Sequence, residues 1–426
     1  MNTEALAAIA IFVLIFGSVS RRLEKSVLTP PMAYVIYGLL IGSASLGLIK
    51  EVDVTNEIIK VLAEITLALV LFTDASRIQL KLLRQEYSLP LRLIAFGLPV
   101  TISLGTIFAL LLFPELTIWD AAILATILAP TDAALGQAVV NSPRVPAYIR
   151  QVINVESGLN DGVCLPVLLL FVALAKRSDR TIDAAYWLTF SGQQIIFGAM
   201  VGVAVGYFGS KLILQSLQRQ WMNDSFEDLS VLGVSLLAYA GAETIGGNGF
   251  IAAFGAGLTL GNIAPKSTQQ KLADFGEAEG QLLTLISFLL YGALMVLPSL
   301  NRATWQMWVY AAASLTLIRF LGVAIATFGS KLQPISVLFI GWFGPRGIAS
   351  IIYGLLIVEK DNLLASDLIF TTMAVTVLVS IFAHGLTAIP GANWYADQMA
   401  NNQKLKKPMT EHKPVTEMPV RLPWRQ

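Results

Sequence analysis

Residues 127–136 read ILAPTDAALG, and residues 154–175 read NVESGLNDGVCLPVLLLFVALA. Three carboxylates, Asp132, Glu156 and Asp161, thus fall inside otherwise apolar chain. An Asp at the centre of a membrane helix costs about 2.5–3.5 kcal/mol on insertion scales. A chain that keeps three of them keeps them for a purpose, and an intramembrane acid reads first as part of an ion or proton path. Both stretches are therefore expected to be membrane helices that carry a site.

Composition agrees. Of the 426 residues 55% are hydrophobic and 13% charged, against about 25% charged in soluble proteins. The fold class expected is an all-α polytopic membrane protein. A net charge of +1 offers nothing to nucleic acid. The single cysteine, Cys164, excludes an intrachain disulfide, and with two histidines a Cys/His metal site is not expected. No phosphate loop of the GxxxxGK[ST] kind occurs, so ATP-driven transport has no support in the chain, and no cofactor is expected.

Apolar runs long enough to span fall near 5–20, 31–49, 58–76, 90–113, 118–140, 150–175, 184–210, 228–243, 248–263, 281–299, 304–329, 334–357 and 365–389. They give about thirteen helices, the short eighth and ninth being separated only by a glycine-rich turn. Arg21, Arg22 and Lys25 follow the first apolar run rather than precede it, the reverse of a signal peptide. That places the N-terminus outside, and basic residues then favour the inner loops by roughly two to one. The expected divisions are a transmembrane domain over 1–395, with repeats at about 1–176 and 225–390, and a short polar, disordered cytoplasmic tail over 396–426. An odd helix count makes two six-helix repeats inverted. Helices 5 and 12 are the expected broken pair, through Pro130 in the first and GWFGPRGIAS at 341–350 in the second, because proline removes a donor and glycine frees the backbone.

Asp161 and Asp132 are the central candidates. A desolvated carboxylate accepts either a proton or a monovalent cation, and that competition suffices for coupled exchange. On a helix, Ser157 and Asp161 share one face, and Glu156 and Asn160 share another. Ser157, Thr131 and carbonyls freed near Pro130 are further oxygen donors for Na⁺ beside Asp161. Ordinary helix–helix hydrogen bonding is the competing role for Ser157 and Thr131. Arg346 needs a partner, and Glu156 is the first choice, a buried pair pinning the repeats. Arg319 and Glu243 are expected as secondary buried charges, and Arg319 is left with Asp132, Glu243 or carbonyls as its partner. Asp74 is expected in the path or as a solvated acid beside Arg77. Glycines 246–261 point to close helix packing, and His384 to a satisfied structural histidine.

Taken together, APTDAALG, ESGLNDG and WFGPRGIAS resemble the sodium/proton antiporters of the NhaP and sodium/proton-exchanger type. FTD at 72–74 and AETIGGNG at 242–249 are weaker matches. The resemblance covers about residues 5–390. It implies thirteen helices, a homodimer, and exchange of one Na⁺, or K⁺ or Li⁺, for one H⁺. It also implies Asp161 as the main carboxylate, Asp132 and Thr131 at the crossing of the broken helices, and Ser157 as a ligand. Asn160 steadies the site, Asp74 stands in the ion path, and Glu156 and Arg346 form the buried pair. Asn160 before the key acid implies electroneutral exchange. Pro345 departs from the leucine common in eukaryotic members, and no counterpart of the long regulatory tail of animal exchangers is expected.

The expectation is therefore a bacterial inner-membrane antiporter that exchanges Na⁺ for H⁺ by alternating access, with lipid, monovalent cations and protons as its partners. A K⁺/H⁺ antiporter of the same fold is the nearest alternative. A passive channel is a further one. An intramembrane aspartyl protease using Asp132 and Asp161 is remote, because its GxGD sequence is absent.

Overall fold

The computed structural model describes residues 3–23, 26–42, 45–49, 57–86, 88–132, 135–176, 184–264, 280–359, 365–403 and 410–417. All regular structure among them is helical. Helices α1 (Thr3–Leu23), α2 (Pro30–Ile41) and α3 (Glu57–Ser76) come first, and a short helix, Leu80–Glu86, leads into α4 (Ser88–Leu112). Helix α5 runs Ile118–Ile127 and resumes for one turn at Gln137–Val140; α6 is Ala147–Lys176 and α7 is Ala184–Gln218. Then follow α8 (Asp224–Thr244), α9 (Gly249–Ile263), α10 (Gly280–Arg302) and α11 (Trp305–Thr327). Helix α12 is split into Pro334–Trp342 and Ile348–Glu359, and α13 is Ser366–Gln403.

Among the described residues, thirteen segments thus occupy the thirteen apolar runs. Seven helices are long and apolar enough to span a membrane by themselves. Ile118–Ile127 and Ile348–Ile357 fall short because α5 and α12 are interrupted. The eighth and ninth helices, the least distinct pair in the sequence, are separated at Gly246, whose φ of +76° is the left-handed conformation glycine adopts at no steric cost.

The bundle is held by close backbone approach as well as by apolar packing. A Cβ on Gly257 of α9 would lie 2.0 Å from the Phe72 carbonyl oxygen, and one on Gly261 the same distance from that of Ser76. Gly198, Gly202 and Gly206 of α7 press on the α9 backbone in the same manner. With lipid outside, such van der Waals contact takes over from the hydrophobic effect in joining helices. Helix α1 buries only Ala5 and Phe16, and its Leu6, Ile11, Leu14 and Ile15 are exposed, which leaves an apolar outer face. Phe12 stacks on Tyr37 of α2 with ring centroids 4.0 Å apart.

Two features differ from the sequence reading. Residues 396–403 continue α13, and residues 410–417 lie against the bundle with Glu411 buried; Glu411 finds hydrogen-bond partners there, which a composition-based reading does not register. Glu243 is not a buried charge. It ends α8 exposed, and its carboxylate accepts the Gly249 N–H at 2.8 Å, capping the start of α9. Lys25 and several other basic residues of the expected loops, among them Lys50, Arg177, Arg180, Lys266, Lys271 and Lys360, lie outside the described residues.

Candidate functional site

The two helix breaks meet. Breaking a helix in an apolar interior strands N–H and C=O groups that must find partners. Here each break supplies the other. Asp132 donates its backbone N–H to the Pro345 carbonyl at 2.7 Å, and its Oδ2 accepts the Ile348 N–H at 2.9 Å. Asp132 therefore caps the N-terminus of the second half of α12, where the unpaired N–H groups favour negative charge. Ser350 donates its hydroxyl to the Ile127 carbonyl at 2.7 Å, closing the end of the first half of α5. The Arg346 N–H donates to Ser380 Oγ of α13 at 2.6 Å. Gly347 makes room for this arrangement: a Cβ there would fall 1.9 Å from Asp132 Oδ2.

Helix α6 grips the α5 break from the other side. Ser157 donates to the Thr131 carbonyl at 2.6 Å, and the Asn160 amide donates to Thr131 Oγ1 at 2.7 Å. Ser157 and Asn160 thus act as a pair toward Thr131, three residues apart on one face. Asp161, the next residue, is 5% exposed and its own carbonyl accepts the Tyr353 hydroxyl at 2.7 Å. Asp132 is 6% exposed and Asn160 1%. Asp74 is buried too, not solvated, and its backbone approaches α6 beside Gly158.

The buried ion pair is not the expected one. Glu156 is bonded by Arg319 of α11, Nη1 to Oε1 at 2.6 Å and Nη2 to Oε2 at 2.7 Å. This is the planar, two-pronged match of guanidinium to carboxylate. Arg319 gains its route by crossing Gly344, where a Cβ would lie 2.6 Å from its Nε. A π turn at Ser314–Ile318 immediately precedes it, a local widening that resets the direction of the following side chains. Arg346 turns back on its own break and donates to the Gly344 carbonyl. It is fully buried, and its Nε and Nη2 have no hydrogen-bond partner among the described residues. The break frees that carbonyl, and the Glu156 carboxylate acts on Arg346 through space with no direct bond between them.

The structure thus gathers Thr131, Asp132, Ser157 and Asn160 into one hydrogen-bonded crossing with Asp161 beside it, and joins Glu156 and Arg319 as a pair next to it, within electrostatic reach of Arg346. Tyr353, Ser350 and Ser380 belong to the same assembly and are not singled out by the sequence, while Gly347 reads there only as part of the α12 break. Their flags were slight, since the three hydroxyls are isolated polar groups in apolar helices. His384 is buried, with Nδ1 2.9 Å from the Ser380 carbonyl and 3.1 Å from its hydroxyl, while its Nε2 has no hydrogen-bond partner among the described residues, so the ring is satisfied on one side only. Chemically, a buried carboxylate is tolerated when a proton or a cation neutralises it. A crossing with one such acid presented beside capped helix ends can alternate between those two occupants.

Comparison with known proteins agrees in fold. The sodium proton antiporter MjNhaP1 from Methanocaldococcus jannaschii superposes with a TM-score of 0.74 at 22% identity, covering 92% of this chain and 97% of that one. The K(+)/H(+) antiporter NhaP2 of Shewanella sp. (strain MR-4) is 24% identical over 91% of this chain and 65% of its own length. The chain thus spans about two thirds of the length of such curated relatives. A probable Na(+)/H(+) antiporter of Schizosaccharomyces pombe is 26% identical over 70% of this chain and 41% of its own. The transmembrane sodium/hydrogen exchanger family matches residues 7–394, nearly the whole chain, and the protein belongs to that family.

Proposed function

We propose that this protein is a secondary active antiporter exchanging Na⁺ for H⁺, with cation and proton competing for Asp161. The observation that carries the reading is the crossing of two broken helices around buried carboxylates, the arrangement that gives a transporter an ion site at mid-membrane. In it Asp161 is the exchanging group and Asp132 holds the crossing together through the α12 N-terminus. Ser157 and Thr131 offer oxygens to the cation, whose hydration shell must be replaced by ligands of that kind. Asn160 orients Thr131. Asp74 lines the approach, and Glu156 with Arg319 forms the scaffold pair. The protein works as a homodimer in a bacterial inner membrane, N-terminus outside and C-terminus in the cytoplasm. Asn160 carries no charge, which favours electroneutral exchange of one cation for one proton. The second reading is K⁺/H⁺ exchange at the same site, favoured by the K(+)/H(+) antiporters among the relatives.

Proteoliposomes with a trapped pH dye separate these readings. A pH gradient should be dissipated by Na⁺ and Li⁺ at the same rate with and without an imposed potential. Dissipation by K⁺ alone would select the second reading, and dissipation that follows the imposed potential would overturn electroneutrality. In the same assay Gly347→Ala should slow exchange on the order of 10²-fold, the cost of moving a positioned group by about 1 Å. A rate near that of the unmodified protein would show that the seat of Asp132 on α12 is dispensable.

A further inference from the structure

Residues 410–417 do more than trail from the last helix. A 3₁₀ turn at Thr410–His412 carries Glu411 into full burial. Its Oε1 accepts the Gln333 N–H at 2.7 Å and the Ser336 hydroxyl at 2.8 Å, and Ser336 Oγ lies 2.8 Å from the Tyr395 hydroxyl of α13. Gln333 is the N-cap residue of α12. Glu411 therefore supplies, from the tail, the negative charge and acceptor that the first turn of this broken helix lacks.

Val415 packs against two apolar groups at once. One contains Val152, Phe339 and Phe343, from α6 and α12; the other contains Ile78, Leu83 and Val155, from the chain after α3 and from α6. The tail thus fills the seam between the α3 side of the bundle and the helices that carry the site. Glu417 then meets Arg150 of α6 at 3.0 Å, a half-exposed contact that adds little by itself. Val155, on the seam, is six residues from Asp161, about 9 Å along α6 at 1.5 Å per residue.

Alternating access needs one set of helices to move against the other around the site. We propose that the 410–417 segment is a built-in latch: it ties the first turn of α12 to α13 and wedges the seam between α3 and α6, holding exchange back until it is released. The proposal rests on the antiport reading. Releasing it means parting a buried carboxylate from two donors, and interactions to a charged group of that kind are among the stronger ones available to a tail.

The test is exchange by full-length protein in proteoliposomes carrying Glu411→Gln, which removes the charge, or Val415→Ser, which removes the wedge, and by a chain stopped after Met409. Each should raise the initial rate of Na⁺-driven proton movement by about 3- to 10-fold, a shift of the population away from the latched state. The Na⁺ concentration for half-maximal rate should stay where it is, since no ion ligand changes. Unchanged or lower rates in all three overturn the latch, as does loss of the monodisperse protein in all three, which would make the segment part of the scaffold. An unmodified protein that exchanges no cation for protons would sink the antiport reading itself, a separate failure.

Discussion

Asp161→Asn is expected to abolish cation/proton exchange while leaving the protein folded. Asparagine keeps the shape of the side chain and the backbone carbonyl that accepts the Tyr353 hydroxyl. It neither takes up a proton at physiological pH nor neutralises a cation. The contacts of Ser157 and Asn160 with Thr131 do not pass through Asp161, so the crossing stays assembled. The dye assay should fall to the level of empty liposomes, a loss of at least about 10²-fold, with the melting temperature in detergent held or slightly raised because a buried charge has been removed. Exchange above about a tenth of the original rate would move the exchanging group elsewhere.

Arg319→Ala should be among the most destabilising single changes in the bundle, costing about 3–5 kcal/mol, because it leaves the Glu156 carboxylate buried without its partner. Adding Glu156→Gln to Arg319→Met should recover most of the loss, since replacing both members of a buried pair removes the stranded charge. Arg346→Ala offers the contrast. Arg346 is bonded to the Gly344 carbonyl rather than to an acid, so its removal strands no charge, and it should lower the melting temperature clearly less than Arg319→Ala. If the two arginines prove equal, or Arg346 costs more, Glu156 is paired differently in the membrane from what the structure shows.

The helices were legible because apolar length is a local property: the runs near 118–140 and 334–357 already located α5 and α12, and Pro130 and Gly344–Gly347 marked their breaks. The acids of the crossing were legible for a similar reason, since charge in an apolar run stands out without any knowledge of neighbours. Pairing was not. Whether Glu156 faces Arg319 or Arg346 depends on how α6, α11 and α12 are rotated about their axes, and that is set by close approaches such as Arg319 over Gly344. Asn160 was assigned to a face with Glu156, four residues away, yet it works with Ser157 because Thr131 lies between those two positions. Glu243 was misjudged by its apolar neighbours, although it sits at a helix end where a cap is needed. The tail hid its structure in a composition typical of disorder; Glu411 and Val415 become ordered only because Gln333, Ser336 and the α3–α6 seam are there to receive them.

The central claim is that one carboxylate, Asp161, holds either the cation or the proton. The most direct measurement is proton release when Na⁺ is added to purified protein in weakly buffered detergent solution, followed with a pH electrode or dye. Binding should release about one proton per cation at a pH where the site is protonated, because a ligand that must be deprotonated to bind gives up its proton. Asp161→Asn should release none. Saturable Na⁺ binding without proton release, or release that persists in Asp161→Asn, would contradict it.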